Sequence, residues 1–265
     1  MALDQESSLA NGLEDPLTPS KPIDLRSITR TDETGKAIRN VMLLSLPDDE
    51  FALFHPELEP IDLPRHFILH EADQKIPFAY FLNDGMTSMV ALSRDGRSVE
   101  VGIIGREGMV GIPLTVGLQR GSFRAITQIP GSGFRIKAET VTALLPSAPA
   151  LRSALAHYAV VNGLQVAQIA ACNRLHEIEQ RLARWLLMCQ DRVDSEILPL
   201  THGFLAQMLG TGRPSVSIAI GILHDAGTVE NARGAVRIVN RNQLETVACE
   251  CYDVIRNFNG GLGLR

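Results

Sequence analysis

The stretch from Leu198 to Val239 constrains this chain more than any other. Thr201 is placed to cap a short helix whose inner face is Leu205, Met208 and Leu209. Gly210-Thr211-Gly212 stops that helix in a tight turn, and Pro214 fits the first turn of a second one, where its missing N–H costs nothing. Val216, Ile220 and Leu223 recur at i, i+4 and i+7 and give the second helix a buried face, which Gly227 ends. Two short helices joined by a glycine-bearing turn form a helix-turn-helix. Thr228-Val229-Glu230 and Ala235 to Val239 then flank a turn at Ala232-Arg233-Gly234, a small hairpin in the position of a wing.

The remainder divides by texture. Residues 1–36 read as a flexible tail, acidic and Ser/Pro-rich. Residues 37–145 read as one β domain: residues 38–58 as short helical pieces, and from about Leu58 to Ala138 short apolar runs alternating with turn signals, whose spacing of ~8–12 residues suggests an antiparallel sandwich or barrel. Asp95-Gly96, between Met89–Leu92 and Val99–Ile103, predicts a hairpin with a tight primed turn. Residues 146–174 read as one long helix. Leu151, Leu155, Tyr158, Asn162, Gln165, Ile169 and Cys172 recur at steps of four and three, a heptad-like seam suited to a second copy of the chain. Val160, Leu164, Ala167 and Ala171 form a second stripe, so that one stripe can face the β domain and the other a partner. Residues 175–242 hold the helix-turn-helix and wing behind an amphipathic helix carrying Leu182, Trp185, Leu186 and Cys189, and residues 243–265 read as a C-terminal tail. The fold class is therefore α+β.

Charge sharpens this division. The chain carries a net charge of −5, yet all eight basic residues of positions 174–242 are arginine: Arg174, Arg181, Arg184, Arg192, Arg213, Arg233, Arg237 and Arg241. The guanidinium fork suits phosphate oxygens and base edges, so a local positive face is compatible with an acidic whole. No run approaches the ~20 apolar residues of a membrane-spanning helix, and the N-terminal stretch lacks the apolar core of a secretory signal, which places the chain in the cytoplasm with no membrane partner. Four cysteines, all after position 171, are too few for a disulfide scaffold.

These features together resemble the Crp/Fnr family of bacterial transcription regulators, from about Val41 to Val239. The stretches that carry the resemblance are Phe204-Leu-Ala-Gln-Met-Leu-Gly210, Arg213-Pro-Ser-Val216, Arg181-Leu-Ala-Arg-Trp-Leu-Leu187, and Asp95 to Gly102 with Gly105 to Gly111. The resemblance implies an N-terminal β-roll sensor of the cyclic-nucleotide-binding jelly-roll type, a long dimerisation helix and a winged helix-turn-helix. It also implies a homodimer on a palindromic duplex DNA site, and RNA polymerase as a further partner. Arg213, Pro214 and Ile218 fall where the family reads bases, Ser215 and Ser217 where a short polar group can meet phosphate or base, and Arg233 and Arg237 where the wing holds phosphates; Thr201 joins them as a DNA-binding residue at the head of the first helix. Well-known members begin this helix with Arg-Glu and place a second Arg one turn on. Here Pro214 replaces the Glu and Ile218 the second Arg.

For the sensor, members that bind a cyclic nucleotide pair a Gly-Glu segment with a downstream Arg beside Ser or Ala. The matching residues are Glu107 with Arg124 or Arg120. Arg106 intrudes between Gly105 and Glu107, and Gly121 between Arg120 and Ser122, so the motif is poorly matched and a structural pair of Glu107 with Arg124 is the favoured reading. No cofactor is assigned. Cys249-Glu250-Cys251 looks like a chelate but on a helix would point its thiols apart, so no metal ligand is assigned either. His66, His70 and Glu71 resemble part of a cupin metal site without its third ligand. Neither a Gly-x-Ser-x-Gly elbow nor a phosphate-binding Gly-x-x-x-x-Gly-Lys loop occurs, so no catalytic residue is assigned. Two rivals remain to the DNA-binding reading: a ligand-binding β-roll whose winged module docks on a protein, and a cupin-like metalloenzyme.

Overall fold

The computed structural model describes residues 28–260. Two short helices, α1 (Val41–Ser45) and α2 (Asp48–Phe54), lead into eight strands: β1 (Glu59–Leu63), β2 (Ile68–His70), β3 (Phe78–Leu82), β4 (Met86–Leu92), β5 (Ser98–Ile104), β6 (Met109–Val110), β7 (Arg124–Ile129) and β8 (Gly131–Lys137). They pair antiparallel in two sheets, ordered β1-β8-β3-β6 and β2-β7-β4-β5. Apolar side chains of the sheets meet α1 and α2 in one core that includes Leu43, Phe54, Phe81, Phe134 and Ile136. Gly85 shows why this roll is punctuated by glycine. It turns β3 into β4 at φ +76°, and a Cβ there would stand 2.7 Å from the Ile129 carbonyl oxygen.

The hairpin at Asp95-Gly96 exists, but its loop has three residues, not the two of a primed turn. Ser93 N–H bonds the Arg97 carbonyl at 2.9 Å, Gly96 N–H bonds the Ser93 carbonyl at 3.1 Å, and Gly96 alone takes positive φ. A turn that ends on one left-handed glycine is the alternative way to match strand twist.

Behind the roll run α3 (Ala138–Leu144), the 27-residue α4 (Pro149–Leu175) and α5 (Ile178–Val193). The start of α4 is capped from far away in sequence: the buried Glu50 carboxylate of α2 accepts from Ala150 N (2.8 Å) and Leu151 N (2.9 Å), a negative charge at the positive end of a helix. Then come β9 (Ile197–Leu198), α6 (His202–Met208), α7 (Arg213–Asp225), β10 (Val229–Ala232), β11 (Ala235–Ile238), α8 (Arg241–Val247) and α9 (Cys251–Gly260). A small sheet, β10-β11-β9, includes the two-residue β9 that the sequence did not announce.

Both expected tails need correction. Positions 1–27 of the N-terminal one lie outside the described residues, but residues 28–36 are tied down. Arg30 donates to the carbonyls of Leu43 (2.7 Å) and Leu46 (2.6 Å) and pairs with Asp48 at 2.8 Å. The stretch expected as a C-terminal tail is, to residue 260, mostly helix. Tyr252 and Ile255 of α9 pack into the core that α5, α6 and α7 share.

The seam Leu151, Leu155, Tyr158, Asn162, Gln165, Ile169 also needs correction. Leu151, Leu155, Tyr158, Gln165 and Ile169 are buried within a single chain, and Asn162 is half-buried. They face the roll, and Tyr158 lies directly across Gly108, where no side chain would fit. The second stripe is the free one: Val160 is 64% exposed and Leu164 40%, with Ala167 and Ala171 also exposed. Both stripes repeat at the same spacing, and only the position of the roll decides which one is covered. No helix among the described residues is long and apolar enough to cross a membrane.

Candidate nucleic-acid interface and its attachment to the roll

Helices α6 and α7 are joined at Leu209–Gly212, with Gly210 at φ +61°. Thr201 Oγ1 accepts from Phe204 N at 3.3 Å, so its place at the head of α6 is that of a cap. Val216, Ala219, Ile220 and Leu223 fill the core below α7. The opposite face presents Arg213, Pro214, Ser217 and Ile218 to solvent, with Ser215 half-buried and Ile218 65% exposed. Ser217 Oγ lies 3.0 Å from His202 Nδ1 of α6. Arg233, at the tip of the β10–β11 hairpin, and Arg237, on β11, are both exposed.

Only part of the arginine cluster belongs to this surface. Arg174, Arg213, Arg233 and Arg237 are exposed. Arg184 and Arg192 are almost wholly buried, Arg181 donates to the Leu209 carbonyl, and Arg241 binds Asp191 (2.7 Å), Glu245 (3.0 Å) and Gln190 (2.7 Å). Half of the cluster is thus turned inward or taken up by contacts within the chain. Composition cannot separate these two uses, since both exploit the same forked donor.

The residues matched to a nucleotide effector do not form a site. Glu107 pairs with Arg192 of α5 at 2.9 Å, with both side chains at most 2% exposed, and its oxygens accept from Gly105 N at 3.1 and 3.0 Å. Arg192 also donates to Gln165 Oε1 (3.0 Å) and the Met188 carbonyl (3.1 Å). Arg124 is paired instead with Glu71 at 2.7 Å, and Arg120 donates to the Asp73 carbonyl at 3.0 Å. The three are spread over separate contacts, and the favoured partner of Glu107 is Arg192, not Arg124. A cavity beside Arg124, lined also by His66, Gln128 and Phe204, holds about 50 Å³, against the ~300 Å³ at which small-molecule sites begin.

A second buried carboxylate, Glu100 of β5, joins the roll to α5. It accepts from Trp185 Nε1 at 2.5 Å and from Ser88 Oγ. Burial pushes its carboxyl up to about 7, although the two hydrogen bonds oppose the shift. Further out, Gln207 of α6 donates to Ser98 Oγ at 2.7 Å, and Gln128 Nε2 contacts Met208 Sδ at 3.7 Å. The roll therefore grips the helix-turn-helix directly, through β5 and its neighbours.

The cupin-like set fails. His66 is exposed, Glu71 is taken by Arg124, and His70 is buried with neither ring nitrogen bonded, its pKa lowered by desolvation. A different group, which sequence spacing passed over, does converge. Cys172 and His176 at the end of α4 meet Cys249 and Cys251 before and at the start of α9, and their ligand atoms all lie within 4.8 Å of one another. Cys249 precedes the helix that begins at Cys251, so the objection from helical spacing does not apply to the pair. The hydrogen bond shared with Cys249, aided by the charge of Arg184, pulls the Cys172 thiol well below the usual thiol range.

Comparison with known proteins agrees with this geometry. Residues 180–247 match the family model of the Crp-like helix-turn-helix domain. The fold is similar to FixK2 from Bradyrhizobium japonicum (15% identity, 72% of this chain and 98% of that one, TM-score 0.63). It is similar also to the c-di-GMP responsive global regulator CLP of Xanthomonas campestris (17% identity, 73% and 100%, TM-score 0.61). A CRP-family transcriptional regulator from Thermus thermophilus gives 19% identity, 71% and 96% coverage and a TM-score of 0.59. No curated protein matches by sequence. A Crp-like helix-turn-helix domain, mounted through a long helix on a β-roll, gives this chain the fold of the Crp/Fnr regulators.

Proposed function

We propose that the protein is a homodimeric, sequence-specific DNA-binding transcription regulator of the Crp/Fnr type that recognises a palindromic operator. One observation carries this reading: the outer face of α7 leaves Arg213, Pro214, Ser217 and Ile218 in solvent, and Arg233 and Arg237 extend from the adjacent hairpin. A helix with its first-turn arginine free enters a major groove and reads base edges, while wing arginines hold phosphates. The exposed stripe Val160, Leu164, Ala167 and Ala171, on a helix without a charged residue from Tyr158 to Asn173, supports pairing of two copies. RNA polymerase is the further partner such a regulator engages.

The base preference follows from the residues. Arg213 grips one guanine through O6 and N7, worth ~1–3 kcal/mol of discrimination. Pro214 has no acceptor for a cytosine amino group, and the Ile218 methyls suit a thymine methyl. Half-sites about one helical turn apart should each hold one strongly specified G·C pair beside softer, T-rich positions. Selection of bound sites from random duplex DNA tests this. Arg213→Ala should relax the preference at that G·C pair alone, and Ile218→Arg should add a guanine preference. Absence of salt-dependent duplex binding would overturn the DNA-binding reading. Return of an operator specified by an Arg-Glu…Arg helix would overturn the assignment of Pro214 and Ile218.

A further inference from the structure

The end of α4 carries a group of donors that regulation of DNA binding does not require. Cys172 Sγ stands 3.4 Å from Cys249 Sγ, and Cys251 Sγ stands 3.6 Å from His176 Nδ1. Ligands around one tetrahedral ion, with metal–sulfur bonds of about 2.3 Å, lie about 3.7 Å apart. The spread within 4.8 Å suits one ion. Thiolates bound to different irons of a cluster stand further apart.

Two independent contacts point the same way. His176 Nε2 faces Glu250 Oε1 at 3.1 Å, so the carboxylate accepts a hydrogen bond from Nε2–H and leaves the Nδ1 lone pair turned toward the cysteines. A carboxylate behind a histidine is the usual orienting partner of a metal-bound imidazole. Gln168 Nε2 donates to Cys251 Sγ at 3.0 Å, the kind of bond that steadies a thiolate. The charge balance is also incomplete. Arg184 is 1% exposed, its Nε has no hydrogen-bond partner, and its Nη1 meets only the weak acceptor Met188 Sδ. Among the described residues it makes no ion pair, although its charge is felt at Cys172 and Cys249. A divalent ion with three thiolates and a neutral imidazole carries −1, which such a buried guanidinium would balance.

We propose that Cys172, His176, Cys249 and Cys251 bind one Zn²⁺ ion in a closed tetrahedral Cys₃His site that fastens the C-terminal helices to the α4–α5 junction. Softness and geometry select this ion: three sulfurs and one imidazole at tetrahedral spacing suit Zn²⁺. Its position gives it a structural consequence. His176 is the extended residue at which α4 stops, and Glu177 begins α5 through a capping box. The ion would therefore bridge the junction between the sensor's long helix and the DNA-binding module, with α9 as the splint.

The test uses the full chain purified under reducing conditions, with metal content measured per chain. One equivalent of zinc is expected in the wild type and in Cys189→Ala, whose cysteine is buried outside the group. Cys249→Ser and Cys251→Ser should lose it. Replacement of zinc by Co²⁺ should give the visible absorption of a tetrahedral thiolate site. Glu250→Gln, which leaves every ligand in place, should keep the fold and weaken zinc affinity by about 10–100-fold. A wild type with four freely titrating thiols that takes up neither Zn²⁺ nor Co²⁺ would overturn the proposal. So would zinc retained at full occupancy and affinity in Cys251→Ser and Glu250→Gln, or a Cys172–Cys249 disulfide in the reduced preparation.

Discussion

Replacing Glu107 by Leu while Arg192 remains would leave a guanidinium in the wall between the roll and α5 with no charge partner. Both side chains are nearly fully buried at a 2.9 Å separation, so solvent screens neither. Breaking such a pair from one side costs about 3–5 kcal/mol, against a total stability of about 5–15 kcal/mol for a folded domain. Arg192→Met should cost a similar amount by stranding the carboxylate. The double variant Glu107→Leu/Arg192→Met removes both charges and leaves mainly Gly105 N–H and Gln165 Oε1 without partners, a penalty of roughly 1–3 kcal/mol for each group left unsatisfied. The double variant should therefore be no less stable than the worse single one, with a coupling of about 3 kcal/mol or more. The assay is urea unfolding at fixed protein concentration, followed through the one tryptophan, Trp185, which sits at this junction. At a slope of about 3 kcal/mol per molar, each single variant should lower the midpoint by about 1–1.7 M. Single losses below about 1 kcal/mol, or losses that simply add, would refute the latch. A cyclic nucleotide that raises the wild-type midpoint but not that of a fully stable Glu107→Leu would restore Glu107 as a ligand contact.

On α4, Val160→Glu with Leu164→Glu should yield folded monomers by sedimentation with helicity intact, whereas Leu155→Glu with Ile169→Glu should unfold the chain because those side chains face its own core; folded monomers from the second pair would reverse the assignment. Arg233→Ala should weaken binding to every duplex alike and flatten the salt dependence by about one unit for each phosphate left unneutralised. A changed base preference at unchanged slope in an anisotropy titration would contradict an anchoring role. Glu100, raised to about 7 from 4.5, holds its proton in the folded state across a window where the unfolded chain has lost it. Its contribution is full below about pH 4.5 and is lost as pH rises to about 7, up to roughly 3 kcal/mol. Glu100→Gln should remove that pH-dependent component from melts taken between those values, and an unchanged profile would locate the titration elsewhere.

Elements whose signals are local can be read from the chain alone. The helix-turn-helix and wing are legible because caps, glycine turns and apolar spacing at Thr201, Gly210, Val216, Ile220, Leu223 and Gly234 each specify their own few residues of backbone. The roll is legible from its strand spacing, and the 95–96 hairpin from its glycine, though not the loop length. The long-range choices fall to packing. Two stripes of α4 share one period, and the roll selects which is inside. Eight arginines share one chemistry, and the position of α5 between roll and reading helices turns Arg184 and Arg192 inward. Glu107 meets Arg192, 85 residues away, and Cys172 meets Cys249, 77 residues away. Nothing local encodes such meetings, because a side chain's partner across the core is fixed by the path of the chain and not by its neighbours in sequence.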